Sequence, residues 1–297
     1  MADTTRNAHA DLDAVSGQTT TGHSWDGIKE LNTPLPRWWL WTFYLTILWS
    51  IGYWIVYPAW PLVSSHTRGL LGYSSRAAVA EDIRQLEARR EQQAAVLRTA
   101  DLEQIRNDPT LLRLAVARGK AAFGDNCAGC HGLGGMGGNT FPNLTDDEWI
   151  WGGKLADIST TITHGIRWDQ DSNSRMSQML AFGRTGTLKP AEIGTVVEYV
   201  RSLAGLDVAN GADLAAGAKL YAENCASCHG DQAKGNQDLG APDLTDAIWL
   251  YGSSRTAMVD TVTNGRGGVM PAWSGRLDPE TIKALTVYVH SLGGGQK

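Results

Sequence analysis

A five-residue pattern that occurs twice constrains this chain more than anything else in it. The copies are Cys127-Ala128-Gly129-Cys130-His131 and Cys225-Ala226-Ser227-Cys228-His229. C-x-x-C-H is the attachment signature of a c-type haem. Two thiols one helical turn apart reach the two vinyl groups of one porphyrin, and the His that follows turns its ring toward the iron. All four cysteines of the chain sit in these motifs. Two C-x-x-C knuckles can also share a structural zinc ion, but that reading gives no role to the two matched histidines. The motifs predict two covalently bound haem c groups. Cys127 and Cys130 hold the first, Cys225 and Cys228 the second, with His131 and His229 as proximal iron ligands.

The sequence around each motif is also duplicated. Gly119 and Phe123 match Gly217 and Tyr221 at an offset of 98. Phe141-Pro142-Asn143-Leu144-Thr145-Asp146 matches Ala241-Pro242-Asp243-Leu244-Thr245-Asp246 at an offset of 100, and Trp149 matches Trp249. Thr161 to Gly165 matches Thr261 to Gly265. An apolar closing segment follows each copy, Val196 to Leu203 and Leu285 to Leu292, now at an offset of 89. The first copy thus carries a surplus of roughly eleven residues between Gly165 and Leu188. Each unit has short helical segments, glycine loops and no strand-like alternation. Each resembles the cytochrome c fold, in which a helix before the motif is crossed by a C-terminal helix. The resemblance implies that Phe123 meets Tyr199 and Tyr221 meets Tyr288. It also implies that the Pro142 carbonyl accepts the proximal His131 N–H, and the Pro242 carbonyl that of His229, fixing each ring.

An iron with one His needs a second axial ligand to work as a pure electron carrier. In the second unit Met270-Pro271-Ala272-Trp273 supplies the candidate, since a thioether suits haem iron. In the first unit Met179-Leu180-Ala181-Phe182 aligns with it, which favours Met179 over Met176. Met136 lies in the glycine loop after the first motif. His164 is the rival ligand, although its counterpart is Asn264. Spacing leaves open whether Met179 and Met270 serve their own units or are exchanged. His9, His23 and His66 stand alone and carry no assigned role.

Trp38 to Tyr57 holds no charged residue over 20 positions. That length matches the ~20 residues needed to cross a ~30 Å hydrocarbon core. Six of the twelve Trp lie between Trp38 and Trp60 and crowd the two ends, like an interfacial aromatic belt. The run starts too late and is too long for a cleaved signal peptide. A single membrane anchor is expected, wrapped in lipid. Covalent haem c is attached outside the bacterial inner membrane, so the later residues are expected in the periplasm and the N-terminus in the cytoplasm. Residues 1–24 lack apolar periodicity and read as mostly disordered. Val79, Ile83, Leu86, Ala94 and Leu97 suggest one amphipathic helix from Arg76 to Arg106, closed by Asn107-Asp108-Pro109. There Asp108 is placed to cap, and Pro109 to open, the next helix.

The net charge of −5 lies wholly in residues 120–297, where 19 acidic side chains oppose 14 basic ones. This disfavours nucleic acid, which needs a basic surface, and favours steering of a basic partner.

Asp26-Gly27-Ile28, Leu31-Asn32-Thr33-Pro34-Leu35-Pro36-Arg37-Trp38-Trp39, the anchor, a helical linker and two haem units together resemble the dihaem subunit (CcoP or FixP) of cbb3-type cytochrome c oxidases. One departure is Leu180, where that family often has Pro. The resemblance implies an all-α architecture of one N-terminal transmembrane helix and two tandem cytochrome c domains. Expected segments are a tail (1–33), an anchor (34–61), a linker (62–108) and cytochrome c domains (109–206 and 207–297). It also implies a non-catalytic electron relay, from a donor cytochrome c with a basic face to the monohaem and catalytic subunits of the oxidase. An independent tethered shuttle, or the cytochrome subunit of a dehydrogenase or peroxidase, is the alternative.

Overall fold

In the computed structural model, which describes residues 11–296, the chain divides between Glu87 and Ala88. The first unit is dominated by α1, Arg37–Val56. Twenty residues at 1.5 Å each give about 30 Å, the thickness of a hydrocarbon core. None of its residues is buried by protein, as a lipid-facing helix requires. Its few hydroxyls turn back onto the helix: Thr42 donates to the Trp38 carbonyl at 2.9 Å and Ser50 to Thr46 at 2.8 Å. That satisfies polar groups where no water is at hand. Beyond Val56 the chain folds back, with Leu70 N donating to Ile55 O at 3.0 Å.

Before α1 stands a hairpin, which corrects the expectation of disorder over residues 11–24. Strand β1, Thr20–Trp25, pairs antiparallel with β2, Ile28–Leu31, Trp25 facing Ile28. Asp26 and Gly27 both take positive φ, 51° and 87°, the requirement of a two-residue primed turn that Asp-Gly serves well. Leu12 bridges Thr19, so the part of the tail after Ala10 is ordered. Residues 1–10, including His9, lie outside the described residues.

The expected 76–106 helix is two. Helix α2, Ser75–Thr99, ends at Ala100, and α3, Leu102–Asn107, begins afresh. The cause is a capping box at Asp101. Asp101 Oδ1 accepts from Gln104 N at 2.7 Å and Gln104 Oε1 from Asp101 N at 3.0 Å, which satisfies donors that a continuous helix would not expose. Asp108 caps α4, Pro109–Asn126, with Pro109 in its first turn.

The second unit holds α4, α5 (Ala128–His131), α6 (Leu155–His164), α7 (Pro190–Leu203), α8 (Leu214–Asn224), α9 (Ala226–His229), α10 (Arg255–Asn264) and α11 (Pro279–His290). Helix α4 is crossed by α11, and α8 by α7. The ring pairs follow: Phe123 with Tyr288, centroids 5.4 Å apart, and Tyr199 with Tyr221, 5.6 Å apart. This overturns the expected Phe123–Tyr199 and Tyr221–Tyr288 pairs. The two copies carry the same apolar pattern, so on pattern alone either closing helix suits either crossing. Both crossings are close. A Cβ on Gly119 would lie 2.6 Å from Tyr288 Cβ, and one on Gly217 2.6 Å from Tyr199 Cβ.

Each crossing builds its own core. Phe123, Ile158, Ile162, Ile282, Leu285 and Tyr288 form one. Leu188, Ile193, Val196, Val197, Tyr221 and Met258 form the other. The end of α2 joins a third cluster through Leu97, fully buried with Ile105, Ala115 and Val287. A side chain of that size contributes about 1.5–3 kcal/mol on burial. Lys283 on α11 closes the end of α2, donating to the carbonyls of Arg98 (2.8 Å) and Ala100 (2.7 Å).

Candidate functional site: a paired haem cradle

The chain ends α4 and turns at once into its first motif. Cys127 N donates to Phe123 O at 2.8 Å, His131 N to Cys127 O at 3.0 Å, and Gly132 breaks the turn at φ 75°. The second motif repeats this, with Cys225 N on Tyr221 O at 2.8 Å and Gly230 at φ 78°. His131 Nδ1 lies 3.0 Å from the Pro142 carbonyl oxygen, and His229 Nδ1 3.0 Å from that of Pro242. A carbonyl only accepts, so Nδ1 carries the proton and Nε2 keeps its lone pair for a metal. The carbonyls are held by Asx turns. Asn143 Oδ1 accepts from Thr145 N (2.9 Å) and Oγ1 (2.8 Å), and Asp243 Oδ1 from Thr245 N and Oγ1 (2.6 and 2.7 Å). Burial pushes both imidazoles below the usual His range, which favours the neutral ligand form. It pushes the Cys127 and Cys225 thiols up to about 11, with Cys130 and Cys228 a lesser cause.

All four cysteines, both motif histidines, Pro142, Pro242, Met179 and Met270 line one cavity of about 1580 Å³. Single-ligand pockets span about 300–1,000 Å³, so this space suits two large ligands. Among the described residues no group of three or more His, Cys, Asp or Glu is arranged to hold a metal ion. The walls carry Ile158, Ile162, Val196, Val197, Leu244 and Leu285. Paired thiols, a fixed imidazole and apolar walls fit covalently attached porphyrin at both motifs.

The methionines reach the cavity by a crossover. Ile166 and Met270 exchange backbone hydrogen bonds at 2.9 and 3.0 Å, and Met179 and Arg266 at 3.0 and 3.1 Å. Gly165 backs onto the Met270 carbonyl and Gly265 onto that of Met179, leaving no room for a Cβ at either. Met270 and Trp273 pack against the cluster of Phe123, Ile158, Ile162, Leu285 and Tyr288, against which Cys127 and Ala128 of the first motif also pack. Phe182, three residues after Met179, packs against the cluster of Val196, Val197 and Tyr221, against which Cys225 and Ala226 of the second motif also pack. His164 gives Nδ1 to Asp171 Oδ2 at 2.9 Å, and neither it nor exposed Met176 lines the cavity. Met136, 72% exposed, and Met258, buried in the second core, do line the cavity.

Two cavity residues escape sequence reading. Glu148 sits between the copies, its Oε1 3.4 Å from Asp243 N. Burial, with the charges of Asp246 and Asp243, pushes its carboxyl up to about 7. Arg167 stands in the first-copy surplus and has no basic counterpart, Gly267 taking its place in the second copy. That asymmetry is the only signal the sequence offers for it.

Comparison with known proteins gives a consistent identity. A family model for the N-terminal domain of cytochrome oxidase-cbb3, FixP, matches residues 17–64. One for cytochrome c matches 116–204, and one for cytochrome c oxidase, cbb3-type, subunit III matches 212–289. The chain is 62% identical to the cbb3-type cytochrome c oxidase subunit FixP of Bradyrhizobium sp. (strain ORS 278), over 97% of this chain and 99% of that protein. It is 57% identical to the FixP subunit of Azorhizobium caulinodans over the full length of both. It is 52% identical to the CcoP subunit of Cereibacter sphaeroides, over 93% of this chain and 95% of that one. Two cytochrome c domains in such a subunit carry covalently bound haem c. With those domains behind a membrane-spanning helix and relatives matched nearly end to end, the chain belongs to the FixP/CcoP family of cbb3-type cytochrome c oxidase subunits.

Proposed function

We propose that the two haem sites are completed by exchanged methionines: His131 with Met270 on the haem of Cys127 and Cys130, and His229 with Met179 on the haem of Cys225 and Cys228. The observation that carries this is the packing of Met270 against the Phe123 cluster, the core on which Cys127 and Ala128 of the other copy's motif also rest. Each haem, when bound, supplies a one-electron iron couple whose potential a thioether ligand raises. Pro142 and Pro242 hold the proximal rings in one tautomer, so the proximal bond does not reorient between oxidation states. The sequence units 109–206 and 207–297 are thus one electron-transfer body rather than two beads.

Sites with both axial positions filled have no place for oxygen. The chain is an electron-transfer subunit of the oxidase and not its catalytic subunit. In this reading it assembles with the monohaem and catalytic subunits and receives electrons from a donor cytochrome c. The net −5 of residues 120–297 favours a basic donor face. The chain is an inner-membrane protein, with the haem-bearing part in the periplasm and the N-terminus in the cytoplasm.

The pairing is tested in a variant whose first motif is removed by C127A and C130A, leaving a single haem. In that background Met179→Ala is expected to abolish the Met-ligated reduced spectrum, and Met270→Ala to leave it intact. The opposite result assigns each methionine to its own copy and ends the exchange.

A further inference from the structure

Arg167 occupies a position that the duplication leaves unmatched. Its backbone is left-handed, φ 51°, a region that side chains other than Gly enter only under constraint. The constraint is visible. Arg167 N donates to Arg175 O at 2.8 Å, and Nε donates to Gly268 O at 2.6 Å. Nη1 donates to Ser177 O at 2.5 Å. Ser177 leads into Met179 and Gly268 leads into Met270, so the guanidinium ties both crossover segments. It also lies over the Trp151 ring, 5.8 Å from its centroid.

Two arginines line the cavity, Arg167 and Arg266. Arg266 is matched by Asp260 Oδ2 at 2.7 Å and by Thr261. Arg167 pairs with no carboxylate among the described residues. A guanidinium has five N–H donors, and two of these are used on carbonyls. The remaining donors belong to a half-buried cation on an apolar cavity. Such a cation is held at a cost unless an anion meets it. The carboxylates that a porphyrin brings into this cavity are its propionates, and a guanidinium fork matches a carboxylate.

Resting on the two-haem reading above, we propose that Arg167 is a positioning residue that receives a propionate of one haem at the seam between the copies and makes the two haems unequal. A fixed cation beside one porphyrin favours its reduced, more negative state, and Gly267 gives the other haem no such partner.

The test is a redox titration of the full-length holoprotein carrying R167Q, R167G or R167K, with covalent haem counted independently by its pyridine haemochrome spectrum. Gly suits the left-handed backbone, so R167G removes the charge while relaxing the chain. R167Q and R167G are expected to keep both haems and lose at least tenfold in the reduction equilibrium of one, 59 mV for a one-electron couple. R167K is expected to recover most of that loss. Two haems with unchanged potentials, or with both potentials falling equally, would overturn the assignment. A wild-type chain without covalent haem would instead remove the two-haem reading, a separately visible failure.

Discussion

His131 and His229 differ from the other described histidines in what faces them. Each gives its Nδ1 proton to a proline carbonyl at 3.0 Å and turns its other nitrogen into a shared cavity. His164 gives Nδ1 to Asp171, and His290 meets the Gln296 carbonyl at 2.8 Å through Nε2. The motif singles out these two histidines from sequence because attachment chemistry fixes their spacing. It does not identify Glu148, whose surroundings come from Asp243 and Asp246, about a hundred residues away in the chain. That carboxyl titrates near 7 in the fold against a usual 4.5. Between those values the native state holds a proton that the unfolded chain has released. Its contribution is therefore complete at low pH and is lost as pH rises toward 7 and beyond. Glu148→Gln should flatten this dependence. The thermal midpoints of variant and wild-type holoprotein should agree near pH 5 and separate in favour of the variant by pH 8. A constant difference across that range would contradict the placement of Glu148.

Among the helices, those that present a clear apolar face or a capping residue are legible. Asp108 and Pro109 open α4 as expected, and α1 follows from the uncharged run. The break at Asp101 is signalled by an Asp-x-x-Gln capping box, and the hairpin by Asp26-Gly27. Both are short local patterns that are equally at home in a helix surface or a loop, so neither stands out by itself. The partners of the closing helices are not legible at all. An apolar stripe encodes which face is buried but not against which copy, and α7 and α11 carry similar stripes. Leu285 tests the observed pairing. It is fully buried in the core of the first motif, although it belongs to the second copy. Leu285→Ala should cost about 2–5 kcal/mol. It should perturb the spectrum of the first-motif haem, read in a chain whose second motif is removed. Gly119→Val should act at the same place by forcing α11 off α4, whereas Gly217→Val should disturb the second motif. Urea titrations paired with haem spectra separate these outcomes.

In the second unit the repeat is nested rather than serial. The stretch from Met179 through α7, α8, α9 and α10 supplies one core, and it is continuous in sequence. The other core takes α4, α5 and α6 from before that stretch and Met270 and α11 from after it. A fragment of residues 175–267 should therefore mature into a one-haem protein with a Met-ligated reduced spectrum. A fragment of 109–206, cut at the boundary that the repeat suggests, should attach haem without that spectrum. The reverse would mean that the copies close on themselves. Nesting also sets a timetable. Arg118 on α4 meets Asp278, at the start of α11, across 160 residues of chain. At typical synthesis rates of about 5–20 residues per second, that is a wait of roughly 8–30 s. The first motif of the chain to be made is thus the last to be enclosed. Through that interval Cys127 and Cys130 stay open to whatever machinery must reach them, and the inner core has time to form before the outer one closes around it.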